Sequence, residues 1–198
     1  MPNHKIIMSD EDGRPFATLE DIFPPESPKI LIVGKVPSPF SVEVGHYFQG
    51  SMGHGFWNRL REYELFEANT EIWNDIGEDD FLVQHGYGIT DVVKKPRQFG
   101  NQPTAVEYRY GAKKLIGQIE LLRPHVVLFV FKRAFDKILD LHFRIYEQSQ
   151  YGFNNQFSHL FSDCRLFVFP MNGTPATRAE IACAMLELQE VINALQPE

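Results

Sequence analysis

Several things are scarce in this sequence of 198 residues, and each scarcity closes a class of function. Cysteine occurs only at Cys164 and Cys183, so one chain can build neither a disulfide framework nor a four-thiolate zinc or iron–sulfur site. The longest unbroken apolar run is "VVLFVF", Val126 to Phe131. That is far short of the roughly 20 residues a membrane helix needs. The opening "MPNHKIIMSDEDGR" lacks the apolar segment of a secretory signal, so a cytoplasmic location is expected. Positive charge is in deficit, with 19 Lys and Arg against 26 Asp and Glu, a net charge of −7. Indiscriminate attraction to a polyanion is thereby opposed, but a local basic face is not. Lys94, Lys95 and Arg97 are placed to supply part of one, and a solvated surface loop accounts for them equally well. Closely spaced metal ligands are also missing. His46 and His54 have no carboxylate partner close by, and His4, His85, His125, His142 and His159 are scattered, so neither a metal nor another cofactor is expected.

What the chain does have is apolar mass. At 43% hydrophobic residues it can bury one sizeable core, which favours a single domain over residues 1–198. Residues 1 to about 25 are expected at the periphery of that domain. Four runs rich in branched and aromatic residues read as strands buried on both faces: Ile30 to Val33, Gly88 to Val93, Val126 to Phe131 and Leu166 to Phe169. Helical patterns separate them. Thr104 with Glu107 forms a capping-box signature that opens a helix running to Pro124, and Thr177 with Glu180 opens another. Shorter helices are expected at about His54 to Tyr63 and Arg133 to His142, with an irregular excursion from Phe143 to Ser162. Strands alternating with helices predict an α/β fold: a three-layer α/β/α sandwich around a short, mainly parallel four-stranded sheet.

In an open parallel sheet, ligands bind beyond the carboxyl ends of the strands. Four loops therefore matter, beginning near Gly34, Thr90, Phe131 and Pro170. The first, "GKVPSPFSVEVGHYFQG", is too long for a simple reversal and carries a histidine and two aromatics. The second is "TDVVKKPRQFGNQPT" and the third is "KRAFD". The fourth, "PMNGTPATRAE", feeds a capped helix whose free amides suit an anion. Aromatics at one loop and amides at another suit a ligand with a flat ring and a phosphate, such as a nucleotide.

These four segments, in this order, resemble the uracil-DNA glycosylase superfamily over roughly Lys29 to Leu188. "GKVPSPFSVEVGHYFQG" followed by "FW" is similar to the hypoxanthine-DNA glycosylase branch, and "YGITDVVKKP" with "GAKKLIGQIELLRPHVVLFVFKRAF" to the mismatch-specific uracil-DNA glycosylase branch. The resemblance implies removal of a deaminated base, uracil or hypoxanthine, from DNA by base flipping and hydrolysis, performed by a monomer without a cofactor. It implies that Phe48 stacks on the extracted base, that Thr90 and Asp91 read it, and that Asn172, Gly173 and Thr174 grip the DNA backbone. Residues just after Met171 would supply a wedge into the duplex.

Lys35, Val36 and His46 complete the expected base-binding set, and Ser38, Lys94 and Lys132 the expected DNA contacts. Two departures bear on catalysis. Most branches place an asparagine or aspartate where this chain has Val36, and the hypoxanthine branch's alternative asparagine, just before "FW", has no counterpart here, where the stretch reads "GHGFW". His54 in that stretch and Asp91 are therefore the candidate catalytic groups, the histidine because imidazole serves in either protonation state. A structural histidine, a loop-capping aspartate and, for Phe48 in a chain with 17 phenylalanines, a core aromatic remain the competing readings. Lys35 can pair with a phosphate or, with its pKa lowered, attack the sugar as a lyase nucleophile. The alternative function is a catalytically degenerate relative that binds nucleic acid or a nucleotide without cleaving it.

Overall fold

The structure is a computed structural model that describes residues 3–10, 12–67, 77–98 and 100–195. It opens with an antiparallel hairpin, β1 (Lys5–Ser9) and β2 (Pro15–Leu19), and then enters the main sheet at β3 (Ile30–Gly34). Two helices follow, α1 (Pro39–Val44) and α2 (Ser51–Glu62), and then α3 (Glu78–Gln84) leads into β4 (Tyr87–Asp91). The long α4 (Ala105–Leu122) returns to β5 (Val126–Phe129), and α5 (Lys132–Ile138) begins the next crossover. A two-residue β6 (Gly152–Phe153), β7 (Arg165–Val168) and α6 (Arg178–Ala194) complete the chain.

The strand order is β4-β3-β5-β7-β6, parallel throughout except for β6, which runs antiparallel to β7. The sheet thus has five strands rather than four. The extra one lies inside the excursion expected to be irregular, where Gly152 and Phe153 pair with Val168 and Phe167. Alternation along the strands divides the core in two. Ile30, Ile32, Ile89, Val126, Leu128 and Phe167 face one side, packing against α1, α2, α3 and α6. Leu31, Val33, Val127, Phe129, Leu166 and Val168 face the other, against α4 and α5. The α/β/α layering is therefore as expected, and both capping boxes form, at Thr104 with Glu107 and Thr177 with Glu180.

The first 25 residues do more than decorate the periphery. Leu19 and Ile22 are buried in the main core, and Ile22 exchanges backbone hydrogen bonds with Ile89 of β4, at 3.0 and 2.8 Å. From this segment His4 reaches Asp80 in α3 and Asp21 reaches Thr90 and Lys94 at the carboxyl end of the sheet, while Glu20 turns back to His4.

Candidate active site

The first loop is shaped by a short, well-capped helix. Ser38 accepts the Ser41 amide at 3.0 Å and Pro39 occupies the first turn, where its missing N–H costs nothing. Beyond α1 the chain turns sharply, and Phe48 adopts a φ of 55°. That left-handed conformation is unusual for a bulky aromatic and must be held by its surroundings. Three contacts hold it. The Tyr47 amide donates to Asp79 Oδ2 at 2.7 Å, and the Gln49 amide donates to Ser41 Oγ at 3.0 Å. Below, α2 presses so close that a Cβ on Gly53 would lie 1.9 Å from the Phe48 carbonyl oxygen. The Phe48 ring packs 4.9 Å from Phe56 and 5.7 Å from Trp57, with 9% of the residue exposed.

Asp91 ends β4 directly opposite Gly34 of β3. A Cβ on Gly34 would sit 2.0 Å from Asp91 Oδ1 and 3.0 Å from Phe48 Cε1, so the carboxyl and the ring converge on bare backbone. Burial pushes the Asp91 pKa up to about 7; Lys94 pulls it down and Asp21 adds to the rise. Near neutrality both forms are populated, so the group can accept a proton or donate one. Asp91 also borders a cleft of about 550 Å³ between the N-terminal hairpin, the end of β4 and α4, together with Asp21, Thr90 and Lys94.

The last loop meets the same region through α2. Asn172 Oδ1 accepts a hydrogen bond from buried Arg59, and a Cβ on Gly55 would touch the Asn172 side chain at 3.5 Å. Gly173 is exposed in a left-handed conformation, and the Thr174 hydroxyl is buried with no hydrogen-bond partner among the described residues. Phe56 touches Phe169, with ring centroids 5.0 Å apart, which ties this loop's entry to the support under Phe48.

The sequence profile of the Uracil DNA glycosylase superfamily matches residues 20–176, from the N-terminal segment to the last loop. The chain belongs to that superfamily. It is also 34% identical over 105 residues to a G/U mismatch-specific uracil DNA glycosylase of Schizosaccharomyces pombe. The match takes in 53% of this chain and 31% of the yeast protein, so the chain spans about a third of that relative's length.

In this superfamily member the expected site residues do not all converge. Phe48 and Asp91 do. Thr90 shares the cleft with Asp91, but its side chain points to the opposite face of the strand and donates to Asp21 Oδ1. Asp21 is held below the usual carboxylate range, because Lys94 and Thr90 outweigh the opposing effect of burial. Lys94, expected on DNA, is spent inside the protein on Asp21 at 2.5 Å, the Leu19 carbonyl and the Tyr47 hydroxyl. The wider basic face dissolves with it, since Lys95 pairs with Asp10 and Arg97 with Glu107. Lys132 likewise pairs with Asp136 at 2.7 Å, and the Ser38 hydroxyl caps its own helix.

Val36 packs against the cluster on the α4 and α5 side, so it offers the base no polar group. His46 turns away as well, with Nδ1 2.9 Å from Asp79 Oδ1 and its ring edge-on to His4 at 5.6 Å. The hydrogen bond to Asp79 raises its pKa, against the effect of burial. His54 is exposed on α2, does not border the cleft that holds Asp91, and makes no side-chain hydrogen bond among the described residues. Lys35 stays at the mouth, 5.8 Å over the Phe131 ring and 3.3 Å from Gln102 Oε1, with its pKa lowered by burial and by Arg133. Neither Lys35 nor Arg133 has a carboxylate ion pair among the described residues.

Sequence reasoning missed Tyr47, whose buried hydroxyl donates to the Glu20 carbonyl at 2.6 Å and accepts from Lys94 at 3.1 Å. It also missed Arg59 behind Asn172, although the four-residue step from Gly55 to Arg59 puts both on one helix face. The opposite aims of Thr90 and Asp91 were available from strand alternation alone.

Proposed function

We propose that the protein is a DNA glycosylase that flips a deaminated base out of the duplex and hydrolyses its N-glycosidic bond. The observation that carries this reading is the convergence of Phe48 and Asp91 over Gly34. A base inside a duplex is unreachable, and extruding it costs a few kcal/mol. Stacking on the Phe48 ring returns roughly 1–3 kcal/mol.

The ionised Asp91 carboxylate then orients a water molecule and takes its proton while oxygen bonds to the sugar carbon. The carbon–nitrogen bond breaks, its electron pair leaves with the base, and the base nitrogen is finally protonated. The same carboxylate offsets the positive charge that builds on the sugar. Phosphate contacts fall to Lys35 and Arg133 at the mouth, and to the exposed turn at Asn172 and Gly173. Uracil is the first substrate to test and hypoxanthine the second.

A non-cleaving binder is favoured by one observation: Val36 packs half-buried against the core and has no polar group with which to order a water. Incubation with labelled duplexes carrying uracil or hypoxanthine, followed by alkali, separates the two readings. Strand breaks at the modified position are expected. Binding without breaks at stoichiometric protein would leave only the binder.

A further inference from the structure

Away from Asp91, the fold gathers four ligand-type side chains that lie far apart in sequence. His4 precedes β1, His46 follows α1, and Asp79 and Asp80 occupy the first turn of α3. One donor atom from each lies within 4.8 Å of all the others. His4 Nε2 is 2.8 Å from Asp80 Oδ1, and His46 Nδ1 is 2.9 Å from Asp79 Oδ1 and 3.8 Å from Asp80 Oδ2. We propose that His4, His46, Asp79 and Asp80 form a binding site for a divalent transition-metal ion, with zinc the best match to its two imidazoles and two carboxylates.

Three further observations point to a ligand rather than to two simple ion pairs. Asp80 is 6% exposed, yet its Oδ2 has no hydrogen-bond partner among the described residues and faces the cluster. A buried carboxylate oxygen left in that state is costly unless something binds it. Secondly, two neighbouring carboxylates, Asp79 and Asp80, are buried side by side, a setting that favours a bound cation. Thirdly, the outer partners that orient metal ligands are in place. His4 Nδ1 faces Glu20 Oε1 at 3.4 Å, leaving Nε2 for the centre, and the second oxygen of Asp79 accepts the Tyr47 amide at 2.7 Å.

Zinc holds nitrogen and oxygen ligands at about 2.0–2.2 Å, so its four donors stand roughly 3.3–3.5 Å apart. To reach that value the pairs at 2.8 and 2.9 Å open and the wider ones, at up to 4.8 Å, close. Four protein ligands in a buried setting describe a closed, structural site rather than a catalytic one. An ion there would pin the N-terminal segment, the first loop and α3 together, next to the backbone that carries Phe48. This inference does not depend on the glycosylase reading, because its test measures no activity.

The full-length protein, stripped with a chelator, is titrated with zinc by calorimetry and the bound metal is counted by elemental analysis. One zinc per chain, submicromolar affinity and a raised melting temperature are expected, with no response to millimolar magnesium or calcium, which prefer all-oxygen sites. His46→Gln and Asp80→Asn should each weaken zinc binding about 100-fold or more. Cobalt in the unmutated protein supplies a measurement that no misfolded variant can spoil, since a visible spectrum of tetrahedral type is expected. Absence of zinc uptake, equal uptake by the variants, or a featureless cobalt spectrum would each overturn the proposal.

Discussion

The two ends of the parallel sheet make an instructive contrast. The amino end carries the larger hollow, about 840 Å³, lined by Arg123, His125, Cys164, Arg165, Glu187 and Glu190 among others. The carboxyl end carries the smaller cleft of about 550 Å³. Both ends contain left-handed residues, but Arg123, Ser162 and Asp163 are exposed, where such turns cost little, whereas Phe48 is buried. The ionisable groups differ in the same way. Burial, with Asp163 adding to it, pushes the Cys164 thiol up, away from the reactive thiolate, while at the other end Asp91 is brought to about 7, into the working range of a general acid or base. Volume alone therefore misleads, and perturbed chemistry beside constrained backbone is the better guide.

The contrast is sharpest at Asp91. Asp91→Asn should cut single-turnover cleavage on the order of 1,000-fold, while Arg165→Ala and Glu187→Gln at the amino end leave it within about twofold. The same Asn variant should be more stable than the parent at high pH. Because the folded pKa is raised, the native protein holds a proton between pH 4 and 7 that the unfolded chain has released. Parental stability therefore falls as pH rises through that window, by about 4 kcal/mol if the whole shift is expressed. Melting curves from pH 4 to 8 should diverge with increasing pH, and parallel curves would contradict a buried carboxylate.

Gly34→Ala tests the convergence without removing any functional group. The new methyl would displace the Asp91 carboxyl or the Phe48 ring, and a loss on the order of 100-fold in cleavage is expected. Phe48→Ala should weaken binding of a duplex with an extruded base by roughly 1–3 kcal/mol, read in equilibrium titrations against an undamaged duplex. The smallest effect concerns the cations. Replacing Lys35 or Arg133 with Gln should reduce the salt slope of DNA binding by about one each, whereas Lys94→Gln should leave that slope unchanged.

Much of the scaffold was legible because it is written locally. Both capping boxes, the four runs of branched residues and the proline after Arg123 fix β3, β4, β5, β7, α4 and α6 with little help from tertiary contacts. The N-terminal hairpin was not read, because "KIIMS" and "PFATL" are short and only half-buried. The site was legible only in part, for a different reason. Asp91 falls at a strand end and Phe48 in the loop that leaves the neighbouring strand, where loops must converge. The fates of Lys94, Lys95 and Thr90, however, were set by Asp21 and Asp10, some 69 to 85 positions earlier in the chain. Such long-range pairings leave no periodic trace in the sequence, so a basic run looked like a DNA contact when it was already neutralised. His4, His46, Asp79 and Asp80 were hidden in the same way.

The margins of the sheet have a consequence of their own. On one flank the Ile22–Ile89 bridge lies along the outer side of β4, and on the other the two residues of β6 cover part of β7. Each margin is shielded by a very short paired segment, which leaves less open hydrogen-bonding template for a second molecule to copy. Trimming the N-terminal segment would therefore do more than shorten the protein: it would bare the β4 margin and turn a self-contained sheet into one that recruits strands from its neighbours.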